Sequence, residues 1–589
     1  MVRIQRHGRF FTMRALISPR RSQRLLATVS LFLLAAASHA QTAADPARAA
    51  EQIQREQQEQ QRQQLEQQRR KLPAPKSSLR ETGPEGRTDA DGPCRDIQQI
   101  TIVSAPNLPT ADRARIAKEY SGHCLRVNDI EKLMAEITNS YISRGYVTTR
   151  VYLPEQDLSG GKLSVMVVEG VVEKISLAGQ RSGRVSLGSA LPGAQGEPLN
   201  LRDLEQGLDQ INRLQSNRAT VDIVPGETAG ASRVIVHNEA ARALHFGATL
   251  DNMGQESTGK SQAGISGSFD SPLGLNDYVN LTYRQSLPLD SATRQSQLGS
   301  FVYLIPYGYG TTSVSYSRSE YETLLHTASG TALRTDGNSE IASLRFEDVL
   351  HRSRSSRITA AASLSTKASR NYLSDQLLTV SSRRLTVADA SLNYTTGALG
   401  GVVTLEGGYS WGLDAMGALD DADGLAADVP RAQFRRWNYS ASYSLPFRAA
   451  GLDATFGSSV FGQRARTALY GSEQILVGGI YSVRGFDNTS LAGDDGFVWR
   501  NELAVRQLVS WGGSFRVALR PFLAVDYGRT RMREEFTGTP EGALAGGTFG
   551  LSASSGSLAV EIFNSRPLHA PSFMRREDSQ TYFRFSMSL

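Results

Sequence analysis

The chain has 589 residues, enough for more than one domain, and 40% of them are hydrophobic. Its mean hydropathy of −0.31 argues against a bundle of membrane-spanning helices. A net charge of +6 arises from 64 Lys and Arg interspersed with 58 Asp and Glu. No basic cluster alternates with aromatics, so the excess is solvated or lumen-facing charge and predicts no nucleic-acid partner.

Near the N-terminus Arg20, Arg21 and Arg24 precede an apolar run over 25–37, followed by Ser38-His39-Ala40. A basic stretch, a short apolar run and small residues predict a secretory signal peptide over 1–40, with Met13 as an alternative start. The run is too short to span a bilayer. In an exported chain the two cysteines, Cys94 and Cys124, read as a disulfide, and no Cys-x-x-Cys occurs. The eight histidines show no metal-ligand spacing, so neither a metal nor a cofactor is expected.

Residues 45–72 predict a helix. Asp45 suits the N-cap, Pro46 suits the first helical position, and Gln, Glu, Arg and Ala dominate the rest of the segment. Only Ile53, Leu65 and Leu72 are large and apolar, so the helix has no stripe to bury and belongs somewhere wet. At about 1.5 Å per residue it would be roughly 40 Å long, enough to thread a membrane pore. Residues 73–93, rich in Pro, Gly and charge, form a linker.

Two small α/β units come next, over 94–170 and 171–242. In the first, a strand over 97–103 precedes a helix capped by Asn128, with Glu131 at the capping-box position. Ile130, Leu133, Met134, Ile137 and Tyr141 recur at helical spacing, and Gly145 ends the helix. Strands are expected over 146–153 and 162–169. The second unit repeats the theme: a strand over 172–177, a helix capped by Asn200, and strands over 219–224 and 232–237.

Over 243–589 the texture changes to segments of about ten residues, alternating in polarity and separated by Gly, Ser, Asn, Asp and Thr. Val279, Leu281 and Tyr283 alternate with Asn280, Thr282 and Arg284; Phe583, Phe585, Met587 and Leu589 alternate with Arg584, Ser586 and Ser588. One face apolar and one polar, repeated to the C-terminus, predicts an all-β transmembrane barrel of about sixteen antiparallel strands, with lipid outside and a wet lumen inside. Two matches to enzyme motifs fail on context. Gly254 to Ser261 fits the P-loop expression, but a Gly-rich strand pattern stands after it where a helix is required. Gly408 to Gly412 fits the nucleophile elbow, but no helix comes after it and His569 is the only later histidine. No enzyme activity is predicted.

Within the barrel pattern, the Gly-rich loop 470–496 carries Val483-Arg484-Gly485-Phe486. These four residues resemble the Val-Arg-Gly-Phe/Tyr motif of outer-membrane barrels that insert or secrete proteins. The two α/β units resemble POTRA domains, the periplasmic modules of that superfamily, with Gly145-Tyr146 and Val168-Glu169-Gly170 similar to the first such domain of haemolysin activators. Signal, Gln-rich helix, linker, two POTRA-like units, barrel and loop stand in the order of TpsB transporters of two-partner secretion, the haemolysin-activator type. The terminal Leu589 departs from the aromatic residue that usually ends such barrels.

The resemblance implies that the loop folds into the barrel and that Arg484 meets an Asp on the inner wall. The matching position is Asp526, in Val525-Asp526-Tyr527-Gly528. Strand parity agrees: with Leu523, Val525 and Tyr527 toward lipid, Ala524, Asp526 and Gly528 face the lumen. Glu502 is the alternative partner, sharing its face with Arg500 and Arg506. The resemblance also implies outer-membrane residence in a Gram-negative cell, POTRA units in the periplasm, and the 45–72 helix as a pore plug. The implied client is an unfolded TpsA-type exoprotein docked through its N-terminal secretion domain; haemolysin, adhesin and contact-dependent toxin all remain open. Outer-membrane lipid and the barrel-assembly machinery are the other implied partners. An insertase of the barrel-assembly type usually carries more POTRA units and lacks the plug, and a passive porin or receptor needs neither the units nor the loop.

Overall fold

The computed structural model describes residues 93–589 apart from 180–182, 290, 292, 327–330, 512–514 and 534–540. The expected signal peptide, 45–72 helix and nearly all of the linker lie outside the described residues.

The first unit is a three-stranded sheet, ordered Gln99–Val103, Lys162–Val168, Arg150–Tyr152, with the first pair parallel and the second antiparallel. Two helices, Thr110–Tyr120 and Val127–Ser143, cover it. Ile116 from one helix and Leu133, Ile137 and Tyr141 from the other meet Leu163, Val165 and Val167 of the central strand in one buried cluster. The longer helix starts earlier than the Asn128 cap predicts: Arg126 is the N-cap, and Asp129, not Glu131, returns a carboxylate oxygen to the Arg126 N–H at 3.0 Å. Asp129 stands at the third helical position of that frame, where an acid serves both the cap amide and the helix dipole. The strand expected over 146–153 shortens to Arg150–Tyr152 because the chain first turns through Tyr146 to Thr149. Cys94 and Cys124 are joined, with Cα atoms 5.3 Å apart, tying the N-terminal edge of the unit to the start of the second helix. A bond closing a loop of 30 residues stabilises by about 3–4 kcal/mol on the chain-entropy account.

The second unit has the same plan, with the sheet ordered Val171–Ala178, Ala231–Asn238, Ala219–Pro225. Its helix Leu201–Asn212 begins where the sequence predicts, with Asn200 Oδ1 accepting from the Arg202 N–H at 2.8 Å. One face of this helix, Leu204 and Ile211, packs into the unit's core.

The remainder is a closed antiparallel barrel of sixteen long strands, from Leu244–Asp251 to Gln580–Ser588, which pair with each other. A two-residue piece, Gln376–Leu377, adds to the end of Ser356–Leu373. Parity conforms to the predicted pattern. Leu523 and Val525 are 62% and 53% exposed, whereas Ala524 and Asp526 between and beside them are 5% and 0% exposed. Leu281, Leu392, Trp437, Tyr439, Phe549, Ile562 and Phe583 are likewise turned outward. Sixteen strands enclose an aqueous channel rather than a packed core. The enzyme-like segments fall into this scheme: Gly408 to Gly412 lies inside the strand Gly401–Leu413, and 254–261 lies between Leu244–Asp251 and Gln262–Asp270.

The second unit docks on the barrel rim through the short turns near residues 271–277, 308–309 and 353–355. Asn276 Nδ2 donates to Ser186 O at 2.7 Å, Gln210 Nε2 donates to Gly308 O at 3.0 Å, and Tyr309 O–H donates to Asp203 Oδ1 at 2.5 Å. Arg352, buried at a strand end, reaches Asp209 Oδ2 at 2.7 Å and Gln206 Oε1 at 3.0 Å. This rim is therefore the periplasmic one, and the longer loops lie at the opposite end.

Candidate functional site

Between the strands Leu452–Ala465 and Asp495–Trp511 the chain leaves the wall at the end opposite the α/β units and turns back into the lumen. A short 3-10 turn, Gly471–Glu473, and a hairpin pairing Ile475–Val477 with Leu491–Gly493 satisfy part of its backbone. Apolar side chains then fix it to the wall. Val477, Val483, Phe486 and Leu491 pack with Val498 and Leu544 of neighbouring strands, all buried.

Arg484 projects from this loop into a cluster of charges. Its Nε donates to Asp526 Oδ2 at 2.6 Å and its Nη2 to Asp526 Oδ1 at 2.8 Å, a two-pronged pair; its backbone N–H adds a third bond to Oδ2 at 3.2 Å. Its Nη1 reaches Glu502 Oε2 at 3.2 Å. Both acids singled out from the sequence thus meet Arg484, on adjacent strands. Arg500 stands opposite Asp526 in register, with its Nε 3.6 Å from Oδ1, and Arg520 Nη2 donates to Glu502 at 2.5 Å. Arg506 is not among the groups that meet Arg484. The planar fork of Arg suits this geometry, since two parallel N–H donors match one carboxylate. Breaking such a buried pair from one side costs about 3–5 kcal/mol, because the other charge stays buried alone.

Two glycines make room for the arginine. Gly485 has φ +106°, a backbone conformation that disfavours a side chain, and a Cβ there would lie 2.6 Å from the Arg566 carbonyl carbon. Gly546, on the strand Gly542–Ser555 beside Asp526, leaves the space into which the Arg484 carbonyl fits; an added Cβ would sit 1.6 Å from that oxygen. Gly528 lies on the lumen face two residues beyond Asp526, under Val477 and Val483.

The sequence reading missed Gly546 and a second charged anchor at the loop's base. Glu473, fully buried, lies 2.6 Å from Lys367 Nζ and 3.1 Å from Arg436 Nη1, on two separate strands of the wall. Asp494 receives the Leu469 N–H at 3.0 Å and the Arg533 N–H at 3.2 Å. Glu473 lies within the Gly-rich loop, where no periodicity marks it. Its only cue was a carboxylate in a segment already expected to enter a lumen.

Residues 230–553 match the family of haemolysin secretion/activation proteins ShlB/FhaC/HecB. Residues 96–170 match the ShlB-type POTRA domain, and 171–225 match a further POTRA domain. The chain is 33% identical over 501 residues to the outer membrane transporter CdiB of Dickeya dadantii (strain 3937), covering 84% of this chain and 87% of that one. It is 31% identical over 448 residues to the hemolysin transporter protein ShlB of Serratia marcescens, covering 76% and 77%. The solved structure of CdiB from Escherichia coli superposes with a TM-score of 0.84 at 32% identity, over 91% of this chain and 98% of that one. With the barrel, the two α/β units and the buried Arg484 loop, these matches establish that the chain belongs to the ShlB/FhaC/HecB family of haemolysin secretion/activation proteins.

Proposed function

We infer that this chain is an outer-membrane transporter of two-partner secretion. It receives an unfolded TpsA-type exoprotein in the periplasm and passes it outward through the barrel. The observation that carries this reading is a loop held inside a sixteen-strand lumen by ion pairs and small apolar contacts, in a barrel whose periplasmic rim carries the second of two POTRA units. Such an obstruction is removable without unfolding the wall. A fixed porin constriction needs no docked periplasmic unit.

The sheet edges of the two units, Gln99–Val103 and Arg150–Tyr152 in the first, Val171–Ala178 and Ala219–Pro225 in the second, offer backbone groups for strand addition by the client's N-terminal domain. Exposed Tyr152 and Leu153 beside one edge supply apolar selection. Arg484 and Asp526, with Glu502, are proposed to hold the loop closed, and Val483 and Phe486 to seat it. The 45–72 segment is proposed to share the lumen before the client arrives. Direction comes from binding in the periplasm and folding outside. The barrel-assembly machinery is proposed to insert the chain among outer-membrane lipids.

The test is secretion of a candidate client's N-terminal domain from a Gram-negative host carrying the intact chain, Arg484→Ala, or a deletion of 94–242, each checked for outer-membrane insertion. Client in the medium with the intact chain and none with the deletion is expected. A correctly inserted chain that leaves the client in the cell while its loss impairs assembly of other barrels would place it among insertases instead.

A further inference from the structure

The tip of the loop carries a second set of polar contacts, on the side away from Asp526. The barrel closes where its first strand meets its last, and that pairing is the shortest between its sixteen long strands. Gly247 to Asp251 oppose Arg584 to Ser588 over five register pairs, against eight for the next shortest, such as Leu244–Asp251 with Gln262–Asp270. Above these pairs, on the loop side, one backbone bond remains, from the Asn252 N–H to Phe583 O at 3.3 Å, and side chains add to it. Asn252 Nδ2 donates to Thr581 O at 2.9 Å, and its Oδ1 accepts from the Phe583 N–H at 2.8 Å.

Asp487 comes three residues after Arg484, and its carboxylate reaches both sides of this closure. Lys260 Nζ lies 2.7 Å from Oδ2, and the Tyr582 hydroxyl donates to Oδ1 at 3.3 Å. Lys260 belongs to the connection between the first two strands, the segment that mimics a P-loop, whereas Tyr582 is on the last strand. Lys260 also donates to Gln580 Oε1 on the last strand at 3.2 Å. Glu577, just before that strand, accepts from the Asp487 N–H at 2.8 Å, from the Asn488 N–H at 3.3 Å, and from the Thr489 hydroxyl. The Asp487 side chain is 8% exposed and that of Lys260 32%. A carboxylate with so little water depends on its cation more than a surface pair does.

We propose that Asp487, held by Lys260 and Glu577, is a second lock on the pore loop, which positions the tip against the barrel closure while Arg484 holds it to the strands on its other side. The two locks grip one short stretch of chain from two directions. Releasing either leaves the tip tethered by the other, so full opening requires both to yield. Lys260 and Asp487 are positioning residues; they touch the loop and the wall, and neither is assigned a contact with client. The inference rests on the transporter reading for its biological meaning, but its physical test does not.

The experiment uses the full chain, purified and inserted in planar bilayers, and reads the frequency of channel opening for wild type, Lys260→Asp, Asp487→Lys and the double swap. Each single reversal is expected to raise opening frequency about tenfold, with the swap returning to within about threefold of wild type. Single reversals indistinguishable from wild type, or a swap as open as the worse single variant, would overturn the second lock. Assembly is checked by the mobility of the unheated barrel on gels. If a reversal does not assemble, Lys260→Gln and Asp487→Asn replace it; about a threefold rise is expected, and none would overturn the proposal. Client secretion by wild type is scored in parallel. Its failure beside a positive bilayer result would remove the transporter reading and leave the lock standing.

Discussion

Arg484 makes four hydrogen bonds to two carboxylates on two strands, and each depends on a different part of the residue. Arg484→Lys keeps the charge but loses the fork. It is expected to weaken loop retention by about 1–3 kcal/mol, while Arg484→Ala costs about 3–5 kcal/mol by leaving Asp526 with Arg500 alone. Protease accessibility of loop 470–496 in intact cells separates these two, with Ala cut fastest. Gly546→Ala tests packing without touching charge. Its Cβ would stand where the Arg484 carbonyl now sits, so it is expected to expose the loop although every charged group remains. At this scale the sequence exposed whatever had a motif or a parity. Arg484 and Asp526 were legible because both match motifs of the family the chain resembles, and alternation with Leu523 and Val525 agreed on the second. Gly546 was not, since a glycine on a Gly-rich strand carries no mark of the backbone that approaches it.

Among the elements, the helix Leu201–Asn212 serves two neighbours. Its apolar face builds the second unit's core, and Gln206, Asp209 and Gln210 meet the barrel rim. The sequence showed the first face through its period but carried no sign of the second, because polar residues on a helix are ordinarily solvated. The helix Thr110–Tyr120 escaped for a related reason: only Ile116 on it is fully buried, so its apolar spacing is faint. The rim contact makes two opposed predictions. Arg352→Ala removes the nearer of two cations at Asp209, leaving Arg357 at 3.8 Å, and is expected to cost about 1–3 kcal/mol of docking, seen as a broadened spin-label distance between Glu227 and Leu399. Asp203→Asn is expected to leave that distance sharp. Burial pushes the Asp203 carboxyl above the usual carboxylate range, despite the opposing hydrogen bond from Tyr309. Its contribution is therefore complete below the unfolded carboxylate pKa and is lost as pH rises through the higher folded value. Docking measured by the same labels should tighten on acidification in wild type, and Asp203→Asn should flatten that dependence. A broad distance in Asp203→Asn at neutral pH would contradict this account of the rim.

For the whole molecule, alternation carried most of the information. Each barrel strand sees lipid on one side and water or the loop on the other, so two-residue periodicity survives across hundreds of residues. The number of strands was readable from it, whereas the two α/β units before the barrel were read from helix caps and helical spacing. The contacts between the parts were not: the second unit on the rim, and Glu473 and Asp487 reaching separate parts of the wall. Those contacts join residues far apart in the chain through polar groups, and polar groups at exposed-looking positions have no signature until the partner is placed.

On the transporter reading, an extended client crosses the lumen and not the lipid-facing surface. Adjacent residues on the strand Arg383–Ala398 separate these routes: Leu392 is 56% exposed on the outer face, and Ser391 shares the inner face with Asp389, whose carboxylate accepts hydrogen bonds from Ser363 and Ser410 on the two neighbouring strands. A photo-crosslinking side chain would be placed at each position in turn, with a client stalled during secretion. Client is expected to crosslink at Ser391 and not at Leu392. Crosslinks at Leu392, or client reaching the medium with none at Ser391, would contradict that reading.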